Sequence, residues 1–578
     1  MARDRGDGVR HIFTAAMDAQ FGIGENGAVE YTATGLGSPL LALFTSLVRG
    51  MSKDHMEQLV DAALADPRLH VDLVVLAFQA RAIRGQGKGE RHLFHEMFAL
   101  LMSKLPKGEE LGLALVKLIP HYGYYKDLIL LSQRSDMCPS IREMCLDVIA
   151  TQLQSDFESL KTQGPKAQIS MAGKYMPSER KKKKKSSSGG GSGENDSESG
   201  KSHLSKQLAC RLFSPDARDK MRQYRHLKTQ LNQRLATTEM LMAANRWDEI
   251  NFKNVASLCL MRQRAAFLNI TATGVTLAKE YADTGNRHPE DPKRIACRRN
   301  LLAKSNQNKV HAGELFPHHV IEKLLRQRFD QAEIQLFDAQ WRDIKAKALA
   351  GISEAEGGAI HLGRLTPLID VSGSMEGEPM HVAIALGLLV SELTHSAFRD
   401  RFITFESQPR YVNVTGQTLQ ERVSGIASAP WGGSTNFLAA CQLILNVVRE
   451  HCLPRDEVPD LIVFSDMQFD QAGGLHDTHY NILKQEFAEV GRSICGEPYL
   501  PPRIIFWNLR PVRGYPVEKS TPNTQLLSGS SPALFKLIMS GKVVQDGENG
   551  GITPEETLRA ALDDDAFAAV RKVCEEFL

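Results

Sequence analysis

From Pro39 to about residue 175, apolar side chains recur at helical spacing. Met56, Leu59, Val60 and Ala63 form one stripe; Leu93, Phe94, Met97, Phe98 and Leu101 form another. Stripes of this kind are the faces that helices bury against one another. Ahead of them, residues 1–35 carry no period and have glycines at 22, 24, 27 and 35, which reads as an irregular N-terminal segment. Residues 177–203 lose the pattern altogether. Five consecutive lysines, Lys181–Lys185, run into a Ser/Gly tract that has too little apolar surface to order, so this stretch reads as a disordered insert. Helical patterning resumes at Leu204. The helical region therefore has two parts, 36–176 and 204–355, on either side of the insert.

Beyond Pro367 the period changes. Short apolar runs at 366–371, 402–405, 461–465 and 503–507 alternate with helical stretches at 380–397, 437–451 and 477–490. That alternation is the pattern of an α/β domain with a parallel sheet covered on both faces, here spanning 362–578. The tail from Pro554 reads as a final helix. Leu368-Ile369, ahead of Asp370, shows no in–out alternation, which predicts a central strand. Ala385 and Gly387 predict close approach of the next helix to the sheet, and Trp507 reads as core.

A chain of 578 residues implies more than one domain. A net charge of +2 supplies no global field toward nucleic acid, so any such affinity has to come from local patches. The nine cysteines contain no C-x-x-C pair and are dispersed, as reduced thiols of a cytosolic or nuclear protein would be. The N-terminus has no apolar signal region, and the longest apolar runs, such as Val382–Val390, reach about ten residues, too few to span a bilayer. The expectation is a cytoplasmic protein with no membrane partner. The lysine run leaves three readings open: a nuclear-import tag, a nucleic-acid contact or a solvated loop.

The chemistry concentrates in three separated phrases: Asp370-Val-Ser372-Gly-Ser374, Gly433-Ser-Thr435-Asn436 and Phe464-Ser-Asp466. Asp370 and Asp466 each close an apolar run, and Thr435 stands just before a helical pattern. In an open parallel sheet, all three segments reach the rim beyond the strands' carboxyl ends. Two carboxylates with the hydroxyls of Ser372, Ser374 and Thr435 suit a small hard cation that keeps an open vertex. Rival uses of these residues fail on spelling. Ser372 stands where a DxDx[TV] phosphotransferase needs its second Asp. Neither serine lies in G-x-S-x-G, and no G-x-x-x-x-G-K-[ST] occurs.

Asp370, Ser372, Ser374, Thr435 and Asp466 resemble the metal-ion-dependent adhesion site (MIDAS) of von Willebrand factor A domains, with all five positions present in order. The resemblance implies a Rossmann-like A domain that binds Mg²⁺ or Mn²⁺. It also implies capture of an acidic residue from a protein partner, with no catalysis.

In the helical half, Arg81-Ala-Ile-Arg84-Gly-Gln-Gly-Lys88-Gly-Glu-Arg91 sets three glycines among basic residues. One reading is a phosphate cradle for structured RNA, made by Arg81, Arg84, Lys88 and Arg91. The other is a tight interhelical turn whose charges pair with acids. Tyr122, Tyr124 and Tyr125 read either as base-stacking platforms or as packing residues. His311, His318 and His319 lie near Glu314 without zinc spacing, which favours a capping or surface role.

The stretches Asn26–Phe44, Arg84–Arg91, Tyr122–Leu128 and Met242–Trp247 resemble the DUF2828 family. In organisation, HEAT-like helical repeats followed by an A domain, the chain is similar to the TROVE module of Ro proteins, which implies a ribonucleoprotein role. No nucleophile–base pair or acid dyad sits in a recognised setting, so an enzyme is not expected. The expectation is a non-enzymatic scaffold that binds RNA through its repeats and a protein through its metal. The alternative is a purely protein-binding adaptor or assembly factor.

Overall fold

The computed structural model describes residues 19–84, 87–178, 195–272, 274, 276–307, 315–350, 361–405, 408–429, 436–470, 478–540 and 551–578, the side chains of 195–202 and 539–540 excepted. Both apolar stripes are buried helix faces. The Ser52 hydroxyl caps helix Lys53–Leu64 by accepting from His55 N, and that helix buries Met56, Leu59, Val60 and Ala63. Helix Arg91–Lys104 buries Leu93, Phe94, Met97, Phe98 and Leu101.

Eight strands are described. Strands β1 (Phe21–Ile23) and β2 (Val29–Tyr31) form an antiparallel hairpin. The rest are β3 (Leu365–Ile369), β4 (Arg401–Thr404), β5 (Tyr411–Asn413), β6 (Asp460–Ser465), β7 (Ile504–Asn508) and β8 (Thr524–Ser528), in the order β5-β4-β3-β6-β7-β8. All neighbours are parallel except β5, an antiparallel edge. The C-terminal part is thus an α/β domain. β3 is central and buried along its whole length, as its unalternating sequence predicts. Trp507 is fully buried and donates to the Gly529 carbonyl at 2.7 Å.

Helix Glu378–Leu393 lies against the sheet through Gly387, where a Cβ would collide with the Ile369 side chain. Gly387→Val is therefore expected to cost about 1–3 kcal/mol by overpacking, read as a lower urea midpoint.

One continuous apolar core runs through both halves of the chain, and a smaller cluster gathers around Trp247, Phe252, Phe267 and Leu301. Helix Pro39–Ser46 packs on β8. The tail is two helices, Pro554–Leu562 and Ala568–Phe577, and it docks on the helical half rather than on the sheet alone. Arg559 and Arg571 reach Asp72 at 2.7 and 2.9 Å, and Tyr122 donates to the Ala566 carbonyl at 2.6 Å while stacking on Phe567. Packing of this kind is set by contacts between segments far apart in sequence, which helical period alone does not reveal.

Two other segments are more regular than their sequences suggest. The stretch 1–35 contains the β1–β2 hairpin and a short helix, Ala33–Leu36. Helix Asn195–Leu212 begins inside the stretch read as insert. Its C-terminal turns bury Leu204, Leu208 and Ala209, and a helix anchored at one end propagates cheaply. Lys181–Lys185 lies outside the described residues. Among the described residues, no helix is long and apolar enough to cross a membrane.

Candidate metal centre

After β3 the chain crosses to β4 on one side, and it later returns to place β6 on the other. The gap between the ends of β3 and β6 is therefore a topological switch point, where open α/β sheets bind ligands. The register pairs Ile369 with Phe464, so Asp370 and Ser465-Asp466 emerge side by side, and Asp370 N donates to Phe464 O at 3.0 Å.

Hydrogen bonds fix the two acids. Asp370 Oδ1 accepts from Ser372 N at 2.9 Å, and Oδ2 accepts from Ser465 Oγ at 2.6 Å. The 3₁₀ turn Gly373–Met375 folds the DxSxS phrase back on itself and brings the Ser372 and Ser374 hydroxyls to 3.0 Å. Just past β6, Met467 takes a left-handed φ of 64°, and its N–H donates to Ser465 Oγ at 3.0 Å, which turns the chain sharply after Asp466. Arg510, just past β7, completes the rim. Its Nη1 bonds the Ser374 carbonyl and lies 3.7 Å from Asp466 Oδ2.

Two acids share this small volume almost out of reach of water: Asp370 is 0% and Asp466 1% exposed. Burial, helped by the Asp466 charge, pushes the Asp370 carboxyl up to about 6 against its hydrogen bonds. Burial also raises Asp466. Asp466 Oδ2 has no hydrogen-bond partner among the described residues. A buried carboxylate oxygen left this way calls for an explanation, and a cation between the acids and the serine hydroxyls supplies one. The donors fit a hard ion, being two carboxylates and hydroxyls. Among the described residues, no group of three His, Cys, Asp or Glu could hold a metal, so no set of the kind zinc takes is present there. Thr435 lies outside the described residues. Helix Phe437–His451 follows it, capped by Asn436, and Phe437 stacks on Phe469 just past Asp466 at 5.2 Å.

Two stretches of the helical half, 24–138 and 139–276, match the family described as "Domain of unknown function (DUF2828)". An uncharacterized protein of Acanthamoeba polyphaga mimivirus is 30% identical over 540 residues, covering 90% of this chain and 84% of the viral one. The chain belongs to the DUF2828 family. Residues 366–573 match a second family, "Domain of unknown function (DUF7788)". In this DUF2828 protein the candidate centre thus lies wholly within the second match.

The basic segment of the DUF2828 half is turned largely inward. Arg81 is 1% exposed and binds Asp127 Oδ2 through Nε and Nη2 at 3.1 and 2.7 Å. Lys88 is 0% exposed, and its ammonium bonds the Phe44 carbonyl, Leu47 O at 3.2 Å and Ser528 Oγ at 2.6 Å. Burial lowers that ammonium to about 7. Arg91 pairs with Asp127 Oδ1 at 3.0 Å, and Arg84 is exposed. Arg81 and Arg91 thus pair with an acid, while Gly85 and Gln86 lie outside the described residues. Tyr122 and Tyr124 pack on Phe567 and Tyr175. His311 and Glu314 lie outside the described residues. His318 is buried against His319 and is 3.4 Å from Glu378, so its role is packing rather than surface contact.

Two members of the rim are not among the residues singled out by the sequence: Ser465 and Arg510. Both carried a signal, since each stands at the carboxyl end of an apolar run.

Proposed function

We propose that the α/β domain is a von Willebrand factor A-type module that binds Mg²⁺ or Mn²⁺ and docks a carboxylate presented by a partner protein. The buried Asp466 Oδ2, which accepts no hydrogen bond and has only Arg510 at 3.7 Å, carries this reading beside Asp370 at the switch point. Ser372, Ser374, Thr435 and Asp466 would hold the ion, with Asp370 locked behind them by Ser465 and the Ser372 amide. The ion supplies an electrophilic vertex for an incoming acid. The chain's residues hold that vertex rigid, and Arg510 adds positive charge beside it.

On this reading the protein is a non-enzymatic adaptor, and its helical half is a second protein-gripping surface. Helices followed by an A-type domain would also give the organisation of Ro-like ribonucleoproteins. RNA binding is the second reading. With Arg81 and Lys88 sealed inside, it rests on Arg84 and on the exposed Arg222 and Arg225 of helix Lys220–Leu235.

Calorimetry with Mn²⁺ tests the first reading: one site in the wild type, none in Asp370→Asn or Asp466→Asn. Equal heats in all three would remove it. For RNA, filter binding should show affinity that falls steeply with salt and weakens in Arg84→Ala/Arg222→Ala. An unchanged salt slope in that variant would exclude these residues as the contact.

A further inference from the structure

The β1–β2 hairpin is tied to the same rim as the two acids. Tyr31 exchanges backbone hydrogen bonds with Tyr515 at 2.8 Å each way. Gly27 bridges to Asp470, and Asn26 Nδ2 donates to the Gln468 carbonyl at 2.9 Å, just past Asp466. These contacts carry Glu30 in over the loop that follows β7. Its carboxylate sits between Gly24 and Gly514, where a Cβ at either position would collide with it. The cradle is thus open only because both residues lack a side chain. There burial, with smaller contributions from the charges of Asp466 and Glu25, holds the Glu30 carboxyl up to about 7. A carboxylate whose charge adds to that of buried Asp466 is relieved either by a proton or by a cation.

We propose that Glu30 is an outer-shell acid of the cation site, accepting hydrogen bonds from water on the ion and so coupling the N-terminal hairpin to metal binding. The inference rests on the cation reading above. Its chemistry follows from the ion class. Magnesium-like ions keep several waters, and carboxylates that hold those waters tune affinity without touching the metal. This agrees with the absence, among the described residues, of a third acid close enough to ligate directly. Asp466 Oδ2, buried without a hydrogen bond and with only the Arg510 guanidinium 3.7 Å away, is the independent sign of a ligand between the two elements. One consequence is that a partner's acid has to approach the ion beside this hairpin, so metal and partner both report on its position.

The test uses the full-length chain and Mn²⁺. Calorimetry on wild type, Glu30→Gln and Asp370→Asn is paired with hydrogen exchange of residues 21–31 with and without the ion. In the wild type, Mn²⁺ binds and slows exchange across the hairpin. Glu30→Gln, nearly isosteric, is expected to weaken Mn²⁺ roughly tenfold or more and to abolish the ion-dependent protection. Asp370→Asn loses binding outright. Wild-type binding with unchanged affinity and protection in Glu30→Gln overturns the role of Glu30 and leaves the cation site standing. No binding in the wild type overturns both.

Discussion

Saturating Mg²⁺ or Mn²⁺ is expected to raise the melting temperature at pH 7.5 and to leave it nearly unchanged at pH 4. Asp370 explains the sign. Its carboxyl is ordinarily half-ionised near 3.8, and in the folded chain burial beside Asp466 holds it near 6. A raised acid makes the native state bind its proton more tightly than the unfolded chain does. That contribution to stability is complete below about 4 and is lost as pH rises through about 6. For a fully buried carboxyl the loss is on the order of 3 kcal/mol. A cation takes the proton's place above that window and competes with it below. At a hundredfold excess over Kd, the ion contributes about 2.7 kcal/mol. In a domain of this size that is a shift of several degrees. Asp370→Asn is expected to melt higher than wild type in EDTA at pH 7.5, and to show no response to the ion. Differential scanning calorimetry across pH with and without Mn²⁺ reads all of this. An equal ion response at pH 4 and 7.5 would contradict the assignment.

Arg81→Ala is expected to be the most destabilising single change in the helical half. Asp127 is fully buried and accepts from Arg81 at 2.7 and 3.1 Å, His95 Nε2 at 3.1 Å and Tyr124 N at 2.7 Å, with Arg91 a further 3.0 Å ion pair. Removing Arg81 takes away two charged hydrogen bonds and leaves a buried carboxylate with Arg91 as its one remaining guanidinium partner, which costs about 2–4 kcal/mol. The exposed Arg84 should change stability by no more than about 0.5 kcal/mol when replaced by alanine. Urea unfolding followed by circular dichroism separates the two. Equal midpoints would mean that the Arg81–Asp127 pair contributes nothing net. The pair also bears on RNA binding: any loss in Arg81→Ala has to be read against its folded fraction, whereas Arg84→Ala tests contact directly.

The core strands and the two acids were legible because each rests on local chemistry. Leu368-Ile369 and Leu461–Phe464 are unbroken apolar runs closed by Asp370 and by Ser465-Asp466, and a parallel sheet brings such ends to one rim. Helix Phe437–His451 was read to the residue from its period. What stayed hidden depends on long-range contact. Nothing in Arg81 or Lys88 distinguishes a surface charge from one satisfied by Asp127 or by the Phe44 carbonyl. The sequence around Val29–Tyr31 is too short and too Gly-rich to declare a hairpin, because its pairing is completed by Tyr515, far along the chain. The tail's two helices could not be placed against the helical half without knowing that Asp72 is the acid that Arg559 and Arg571 share.

One hard cation is expected between the end of β3 and the end of β6. Crystals grown with Mn²⁺ and measured at a wavelength where manganese scatters anomalously test it most directly. A single strong peak is expected at coordination distance, about 2.1 Å for a magnesium-like ion, from the hydroxyls of Ser372 and Ser374 and from Asp466. The peak should be missing in Asp466→Asn. A wild-type map with no peak there at saturating Mn²⁺, or with its only peak elsewhere, would mean that these residues hold no cation.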